Sequence, residues 1–275
     1  MKYLIIILIL GLGVLIFQIS EAPIGSPKEE MKKITTIGQS IENRKIVAHS
    51  FGKGEKVLVF IGGIHGGYEA NSSLLAYQII EKLNQNPELI PGDLTLKIIP
   101  EANPDGLYLI IDSKVALLNE DFPWGPETLA GRVNAREVDL NRNFDCRWQP
   151  EGYWREQVVK AGESPFSEPE SQALRDYLLD LEPAGVVFWH SAGGGIYLSF
   201  CEDEVLPQTQ TLANLYAEAS NYPVHQTFDH YEVTGAADDW LASLEIPAIT
   251  VELKNHQDSD LAENWQAVLN LLSDF

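Results

Sequence analysis

KVLVFIGGIHGGYEAN, residues 56 to 71, places an apolar run directly before a glycine-rich turn that contains a histidine and a glutamate. The run KVLVFIG (56 to 62) predicts a buried β-strand, and the segment from Glu69 to about Asn84 predicts a helix. A strand, a short turn and a helix in this order are typical of an α/β sheet. His65 and Glu69 would then lie where the strand ends, and open α/β sheets gather their ligands there.

The same alternation of apolar runs and amphipathic segments continues along the chain. Further buried strands are predicted for LTLKIIP (94 to 100), AGVVFWH (184 to 190) and AITVEL (248 to 253). Two more helices are predicted at 167 to 181, where Ser167 and Glu170 would form a capping box, and at about 259 to 272. We therefore expect one α/β domain at 34 to 275, with a mixed, mostly parallel central sheet flanked by helices.

Composition limits the classes of function. The chain has 275 residues and is 45% hydrophobic, which is enough to bury a sizeable core. Its formal net charge of −21 argues against nucleic acid as a partner, because long-range repulsion would oppose approach. We expect a monomeric domain. Cys146 and Cys201 lack a metal-ligand pattern, and the sequence leaves open whether they form a disulfide.

The N-terminus carries a nearly unbroken apolar run at 1 to 20, which predicts a signal peptide or a hydrophobic membrane-anchor helix. Its apolar part is close to the lower limit of roughly 17 to 25 residues for a spanning helix, which favours an uncleaved anchor. Residues 21 to 33 are polar and contain proline and glycine, so they predict a linker. We expect the domain to lie outside the cytoplasm, in the periplasm or at the cell surface, secreted or attached to the membrane.

Three predicted strands end in a residue that could bind a metal or transfer a proton. These residues are His65, His190 and Glu252. His65 and His190, together with Glu69, would supply three ligands and leave a fourth position open, as in catalytic zinc sites. The spacing of His65 and Glu69 alone often arises by chance, and a hydrogen-bonded histidine at a strand end is an ordinary account of His190.

Two further motifs carry polar side chains suited to a substrate. RVNAREVDLNRNF (132 to 144) concentrates three arginines and three asparagines in a chain with only 19 basic residues. Arginine binds carboxylates at two points and stabilises an oxyanion, whereas a solvated loop would account for Arg136. YEVTGAADDW (231 to 240) precedes the last predicted strand. Four histidines have no convergent partners in the sequence and are expected to be surface or core residues: His49, His225, His230 and His256.

The motifs together resemble those of the zinc carboxypeptidase family, of the carboxypeptidase A and B type. They are HGGYE, RVN followed by VDLNRNF, WHS, Y followed by TGAADDW, and ITVEL, in the family's order. The resemblance runs from about residue 35 to near the C-terminus and implies the zinc carboxypeptidase fold. The form of the second motif is most similar to the bacterial murein peptide amidase branch. The family's usual metal pair is HxxE, and this chain has one more residue between His65 and Glu69.

The resemblance implies a role for each matched side chain at the reaction centre. His65, Glu69 and His190 would hold one zinc ion per chain. Glu252 would be the general base, and Arg132 would polarise the carbonyl of the bond that is cleaved.

The resemblance also implies residues that bind the substrate. Asn141 and Arg142 would bind its terminal carboxylate, and Tyr231 would close over it. Asp238 lies at the family's specificity position and resembles the acidic residue of the branch that cleaves at basic residues. A carboxylate there favours a cationic side chain, whereas the alternative is that Asp238 or Asp239 only caps a short helix.

These matches imply a zinc-dependent metallocarboxypeptidase that hydrolyses a peptide bond near a free C-terminal carboxylate. Its expected substrates are cell-wall (murein) peptides containing diaminopimelate, or peptides with basic C-terminal residues. One alternative is an N-acyl amino acid deacylase of the aspartoacylase or succinylglutamate desuccinylase type, but Tyr231 and the TGAADDW motif favour the peptidase. A second alternative is an inactive peptide-binding or wall-binding module. Such a module would lack a ligand or the base, whereas all of these residues are present.

Overall fold

The computed structural model describes residues 32 to 111, 126 to 202 and 204 to 275. The hydrophobic helix predicted at 1 to 20 lies outside the described residues, as does nearly all of the predicted linker. Among the helices that are described, none is long and apolar enough to cross a bilayer.

An eight-stranded mixed sheet and a separate two-stranded hairpin account for the strands of the described chain. The ten strands are β1 (Lys32–Gln39), β2 (Lys45–Gly52), β3 (Lys56–Ile61), β4 (Leu94–Ile99), β5 (Glu151–Trp154), β6 (Gln157–Lys160), β7 (Gly185–Ser191), β8 (Gly195–Leu198), β9 (Val224–His225) and β10 (Ala248–Leu253). The order in the large sheet is β1-β2-β4-β3-β7-β10-β8-β9, and β5 pairs with β6. The four central strands β4, β3, β7 and β10 are parallel, whereas β1, β2 and β8 join antiparallel. The mixed α/β sheet predicted from the sequence is confirmed.

The four strands predicted from apolar runs are the parallel centre of this sheet. Strands buried on both faces read as continuous apolar runs, which is why the sequence revealed them. In β7, Phe188 and Trp189 point to opposite faces and pack in two different cores. In the pairing of β7 with β10, His190 lies directly opposite Glu252.

The described residues contain six α-helices. They are α1 (Ala70–Gln85), α2 (Pro104–Ile110), α3 (Pro169–Leu181), α4 (Pro207–Ser220), α5 (Ala237–Ser243) and α6 (Leu261–Asp274). Apolar side chains of α1, α4 and α6 pack in the core on one face, represented by Leu75, Leu212 and Leu271. Those of α3 and α5 pack in the core on the other face, represented by Leu174 and Trp240. The helices predicted after Glu69, at 167 to 181 and at 259 to 272 correspond to α1, α3 and α6.

The start of α3 differs from the predicted capping box. The N-cap is Glu168, not Ser167, and no side chain caps the helix locally. The hydroxyl of Ser167 donates instead to the Glu168 carboxylate, at 2.9 Å. Asn143 holds this segment from a distant part of the chain, because its Oδ1 accepts hydrogen bonds from the Glu168 amide and the Ser171 hydroxyl. A tertiary contact therefore replaces the local motif that the sequence suggested.

Cys146 and Cys201 form a disulfide, with their Cα atoms 5.7 Å apart. Cys146 follows the motif at 132 to 144, and Cys201 lies three residues after β8 ends. The question that the sequence left open is thereby answered. The bond ties the segment after the 132 to 144 motif to the segment that follows β8.

Candidate active site

Three buried side chains converge at the carboxyl ends of β3 and β7. His65 follows β3, Glu69 ends the 3-10 turn Gly66–Glu69, and His190 lies near the end of β7. The Nδ1 atom of His65 is 2.8 Å from one carboxylate oxygen of Glu69, and the Nδ1 atom of His190 is 3.0 Å from the other. The two Nδ1 atoms are 3.2 Å apart. One ligand atom from each residue lies within 4.8 Å of the others.

The extra residue between His65 and Glu69 is accommodated by the two glycines. Gly66 adopts a φ of +42°, in the region that disfavours other residues. A Cβ atom at Gly67 would lie 2.3 Å from the side chain of Ile110. The turn therefore packs closely against α2, and it places the Glu69 carboxylate in contact with both His65 and His190.

The donor set of this cluster fits a zinc ion. Ligands about 2.0 to 2.1 Å from a tetrahedral ion are roughly 3.3 Å from one another, close to the separation of the two Nδ1 atoms. Burial opposes ionisation of Glu69, but His65 and His190 outweigh it and hold the pKa of the carboxyl well below its usual range. Two nitrogens and a carboxylate are thus available to one ion, with room for a fourth ligand on the side of the cavity.

Asp139 connects the metal cluster to the next motif, and the sequence reading did not single it out. Its side chain is fully buried. One oxygen lies 3.2 Å from Nε2 of His65 and accepts the backbone N–H of Asn141 at 3.1 Å. The other oxygen accepts two hydrogen bonds from Arg132, at 3.1 and 2.9 Å. With its proton on Nε2, His65 donates to Asp139 and directs the lone pair of Nδ1 at the cluster.

We expect Asp139→Asn to weaken zinc binding by about 10- to 100-fold, because carboxylates that orient a ligand histidine contribute that much to metal affinity. The affinity is measured by competition with a chelating dye. Asp145→Asn is the matched control, because Asp145 is exposed and lies one residue after the same motif. Equal zinc affinity in the Asp139→Asn variant and the parent protein would contradict this prediction.

Arg132 lies beside the cluster with its charge buried. Burial disfavours the charged form, but Asp139 and Glu69 outweigh it and raise the pKa of Arg132. Its Nη1 lies 3.4 Å from a Glu69 oxygen, and its guanidinium carbon is 4.7 Å from the centre of the Trp154 ring. This side chain is therefore a fixed positive charge at the wall of the cavity.

Glu252 faces the same point from β10. The Gly193 amide donates a hydrogen bond to its carboxylate at 3.2 Å. Burial and the neighbouring charge of Glu69 raise the pKa of Glu252 to about 7, against the opposing effects of His190 and Arg132. A carboxyl group with a pKa near neutrality can both accept and release a proton under physiological conditions.

A cavity of about 720 Å³ brings all nine predicted site residues to one surface. They are His65, Glu69, Arg132, Asn141, Arg142, His190, Tyr231, Asp238 and Glu252. The guanidinium of Arg142 donates two hydrogen bonds to the Tyr153 carbonyl and one to the Asn141 carbonyl. The side chain of Asn141 accepts a hydrogen bond from the Ala237 amide at 2.9 Å. The Tyr153 carbonyl therefore helps to position Arg142, and the backbone of the TGAADDW motif positions Asn141.

Asp238 and Tyr231 also line the cavity. Asp238 lies in the first turn of α5, and no side chain caps that helix, so the helix-cap reading does not hold. Its Oδ2 accepts a hydrogen bond from Thr250 at 3.0 Å. Burial raises the pKa of Tyr231, which therefore stays a neutral hydroxyl. The ring of Tyr231 packs edge-on against Phe228, with 4.9 Å between the centroids.

Two of the histidines predicted to be surface or core residues, His230 and His256, also line the cavity. His230 Nε2 lies 3.2 Å from the Tyr197 hydroxyl. His256 Nδ1 lies 2.9 Å from the Ser191 hydroxyl, and its ring packs on Tyr68 at 4.6 Å. His230 lies in the loop after β9, and His256 lies in the loop after β10. No local sequence motif predicts that these loops reach the cavity.

Comparison with known proteins agrees with this geometry. Residues 26 to 270 match the sequence profile of the zinc carboxypeptidase family. The chain belongs to the zinc carboxypeptidase family. The family resemblance inferred from five motifs is thereby confirmed.

Two bacterial relatives are named as hydrolases, one an endopeptidase named for gamma-D-glutamyl-L-diamino acid and the other an amidase named for murein peptide. The chain is 28% identical over 243 residues to gamma-D-glutamyl-L-diamino acid endopeptidase 1 of Lysinibacillus sphaericus, covering 80% of this chain and 60% of the relative. It is 34% identical over 152 residues to murein peptide amidase A of Escherichia coli K12, covering 51% of this chain and 59% of the relative. The matches thus span about three-fifths of the length of each relative.

Two solved structures share the fold. The murein-tripeptide amidase of Escherichia coli O157 superposes with a TM-score of 0.63 at 25% identity, covering 89% of this chain and 94% of that protein. Thrombin-activatable fibrinolysis inhibitor superposes with a TM-score of 0.68 at 21% identity, covering 88% of this chain and 69% of that protein. The second likeness concerns the fold alone.

Proposed function

We propose that the protein is a zinc-dependent peptide hydrolase that cleaves an amide bond near a free C-terminal carboxylate. The observation that carries this proposal is the convergence of the His65, Glu69 and His190 cluster with Arg132 and Glu252 in one cavity. These are the residue types that hydrolysis by an activated water requires: metal ligands, a cation for the developing negative charge, and a base.

The side chains divide the proton and charge transfers of the reaction between them. His65, Glu69 and His190 would hold a zinc ion, which would supply a bound water with a pKa of about 7 and a Lewis acid for the carbonyl. Glu252 accepts the proton of the attacking water and returns it to the leaving amine. Arg132, held by Asp139, balances the negative charge on the carbonyl oxygen. The amide bond is broken without a covalent intermediate on the protein.

Four other residues that line the cavity determine where the substrate is cut. Asn141 and Arg142 bind the terminal carboxylate, since an arginine fork suits that group. Tyr231 covers the substrate from the rim. Asp238 accepts a positively charged side chain of the terminal residue, because its own carboxylate is buried and has no ion-pair partner among the described residues.

Cell-wall peptides that contain diaminopimelate are the substrate class that we favour. The names of the two bacterial relatives support this choice, and diaminopimelate supplies the amino group that Asp238 suits. Such a substrate also agrees with our proposal that the domain works outside the cytoplasm. The disulfide between Cys146 and Cys201 supports that location, since such bonds persist in oxidising compartments.

The proposal is tested by loading the protein with zinc and offering peptides that end in diaminopimelate, lysine or phenylalanine. We expect the first two to be cleaved at least about tenfold faster than the third, because a cation at Asp238 gains a charge-assisted hydrogen bond. Asp238→Ala should remove this preference. The same peptides with an amidated C-terminus should be poor substrates, since Asn141 and Arg142 would lose their partner.

Three outcomes would contradict the proposal. Cleavage of N-acyl amino acids but no peptide would identify a deacylase. Binding of peptides by the zinc-loaded protein without any cleavage would identify a binding module. A clear preference for phenylalanine would remove the role given to Asp238.

A further inference from the structure

The part of the cavity around Asp238 contains a third charged group that the proposed function does not use. Arg147 lines the cavity together with Asp238 and Asp239. Its Nη2 donates a hydrogen bond to Asp239 at 3.1 Å. Arg147 thus stands beside the residue that directly follows Asp238 in the chain.

The position of Arg147 is fixed from several directions. Its backbone φ is +49°, a left-handed conformation that is unusual for residues other than glycine. The preceding residue, Cys146, is bonded to Cys201. The guanidinium carbon lies 5.0 Å from the centre of the Phe200 ring, and the Phe200 amide donates to Asp239 at 3.0 Å. The arginine is therefore held at the cavity wall by both its backbone and its side chain.

The guanidinium retains donors that the protein does not use. Arginine has five N–H groups, and among the described residues Asp239 is the only hydrogen-bond acceptor of Arg147. Its side chain is 34% exposed, so the remaining donors are open to a ligand. The contact with Asp239 uses one N–H group at Nη2 and leaves the other N–H groups of the guanidinium unused by Asp239.

Asp239 neutralises the positive charge of Arg147 only when its own carboxyl is ionised. Burial and the adjacent Asp238 raise the pKa of Asp239 to about 7. Near pH 7 the Asp239 carboxyl is therefore protonated in part of the molecules. In those molecules Asp239 does not neutralise the charge of Arg147. The site accordingly presents an acceptor for a cation at Asp238 and a donor for an anion at Arg147.

We propose that Arg147 and Asp238 together recognise a side chain that ends in both an ammonium and a carboxylate, with Arg147 binding the carboxylate. This inference rests on the proposed function, since it concerns the terminal residue of the same substrate. Diaminopimelate has such a side chain, and lysine carries the ammonium alone. Asp238 by itself cannot tell these two apart, whereas a second, anion-binding residue next to it can.

The experiment compares diaminopimelate with lysine in two independent measurements on the zinc-loaded full chain. One is the ratio of kcat/KM for peptides that end in each residue, and the other is the ratio of Kd for the two free amino acids. Arg147→Gln should lower the preference for diaminopimelate by about 30-fold in both ratios, the loss expected for one charge-assisted contact. Arg147→Lys keeps the charge but not the fork, and should lower both ratios by a smaller factor.

Arg155→Gln is the matched control, because Arg155 lines the same cavity from the β5–β6 turn and makes no contact with Asp239 among the described residues. Its ratios should stay close to those of the parent. Unchanged ratios in both Arg147 variants, with both substrates weakened alike, would assign Arg147 a structural role and overturn the inference while leaving the proposed function intact. A preference in Kd that Arg147→Gln removes, without hydrolysis of any peptide, would overturn the proposed function but support the role of Arg147.

Discussion

Glu252→Gln is expected to lower kcat/KM for the best peptide substrate by about 10³-fold, a loss within the range for removal of a general base. Glutamine has nearly the same shape and can still accept the hydrogen bond from the Gly193 amide. It cannot take a proton from water, however, so only the proton transfer is removed. Initial rates of the zinc-loaded parent and variant, measured over the same range of substrate concentration, give the comparison.

Zinc content separates this loss from damage to the metal site. Glu252 is not one of the three residues of the cluster, so the variant should bind zinc as the parent does. Peptide binding should also persist, because Arg142 and Asp238 are unchanged. Cleavage by the Glu252→Gln variant at the rate of the parent would show that another group is the base, and the proposed mechanism would be wrong.

His190→Ala is expected to weaken zinc binding by more than about 100-fold, since groups that merely orient a ligand already contribute up to that factor. Two donors would remain, His65 and Glu69, and catalytic zinc sites normally use three. Activity at limiting zinc should fall with zinc content. The measurements are zinc stoichiometry after dialysis and peptide cleavage by the same sample.

His225→Ala is the matched control for this substitution. His225 is exposed and stacks on Tyr197 at 4.8 Å, but it does not line the cavity. The His225→Ala variant should retain one zinc ion per chain. A His190→Ala variant that bound zinc as tightly as the parent would exclude His190 as a ligand and leave the cluster without its third donor.

The parts of the molecule that could be predicted from the sequence are those with local causes. The four central strands are buried on both faces, so each appears as an apolar run, and three of them carry His65, His190 or Glu252 at or just after the end. The glycine turn places Glu69 four residues after His65, close enough for both side chains to reach one point. Because parallel strands end at one edge, convergence of these residues followed from the order of the elements.

The parts that could not be predicted depend on contacts between distant segments. Asp139 is one aspartate among 40 acidic residues, and only burial between His65 and Arg132 gives it a role. The start of α3 is held by Asn143 instead of Ser167 for the same reason. A signal for Asp139 existed, however, because a carboxylate inside a motif rich in arginine is a natural partner for one of them.

The pairing of His190 with Glu252 sets a constraint on how this site can change. Both side chains are rigidly spaced because they occupy opposed positions in β7 and β10. A slip of β10 by one residue would turn Glu252 to the other face of the sheet. The distance between Glu252 and His190 can therefore not change in small steps through the pairing of the two strands. Selection can therefore remodel the loops that hold Arg147 and Tyr231, and with them the substrate, without moving the two groups that perform the chemistry.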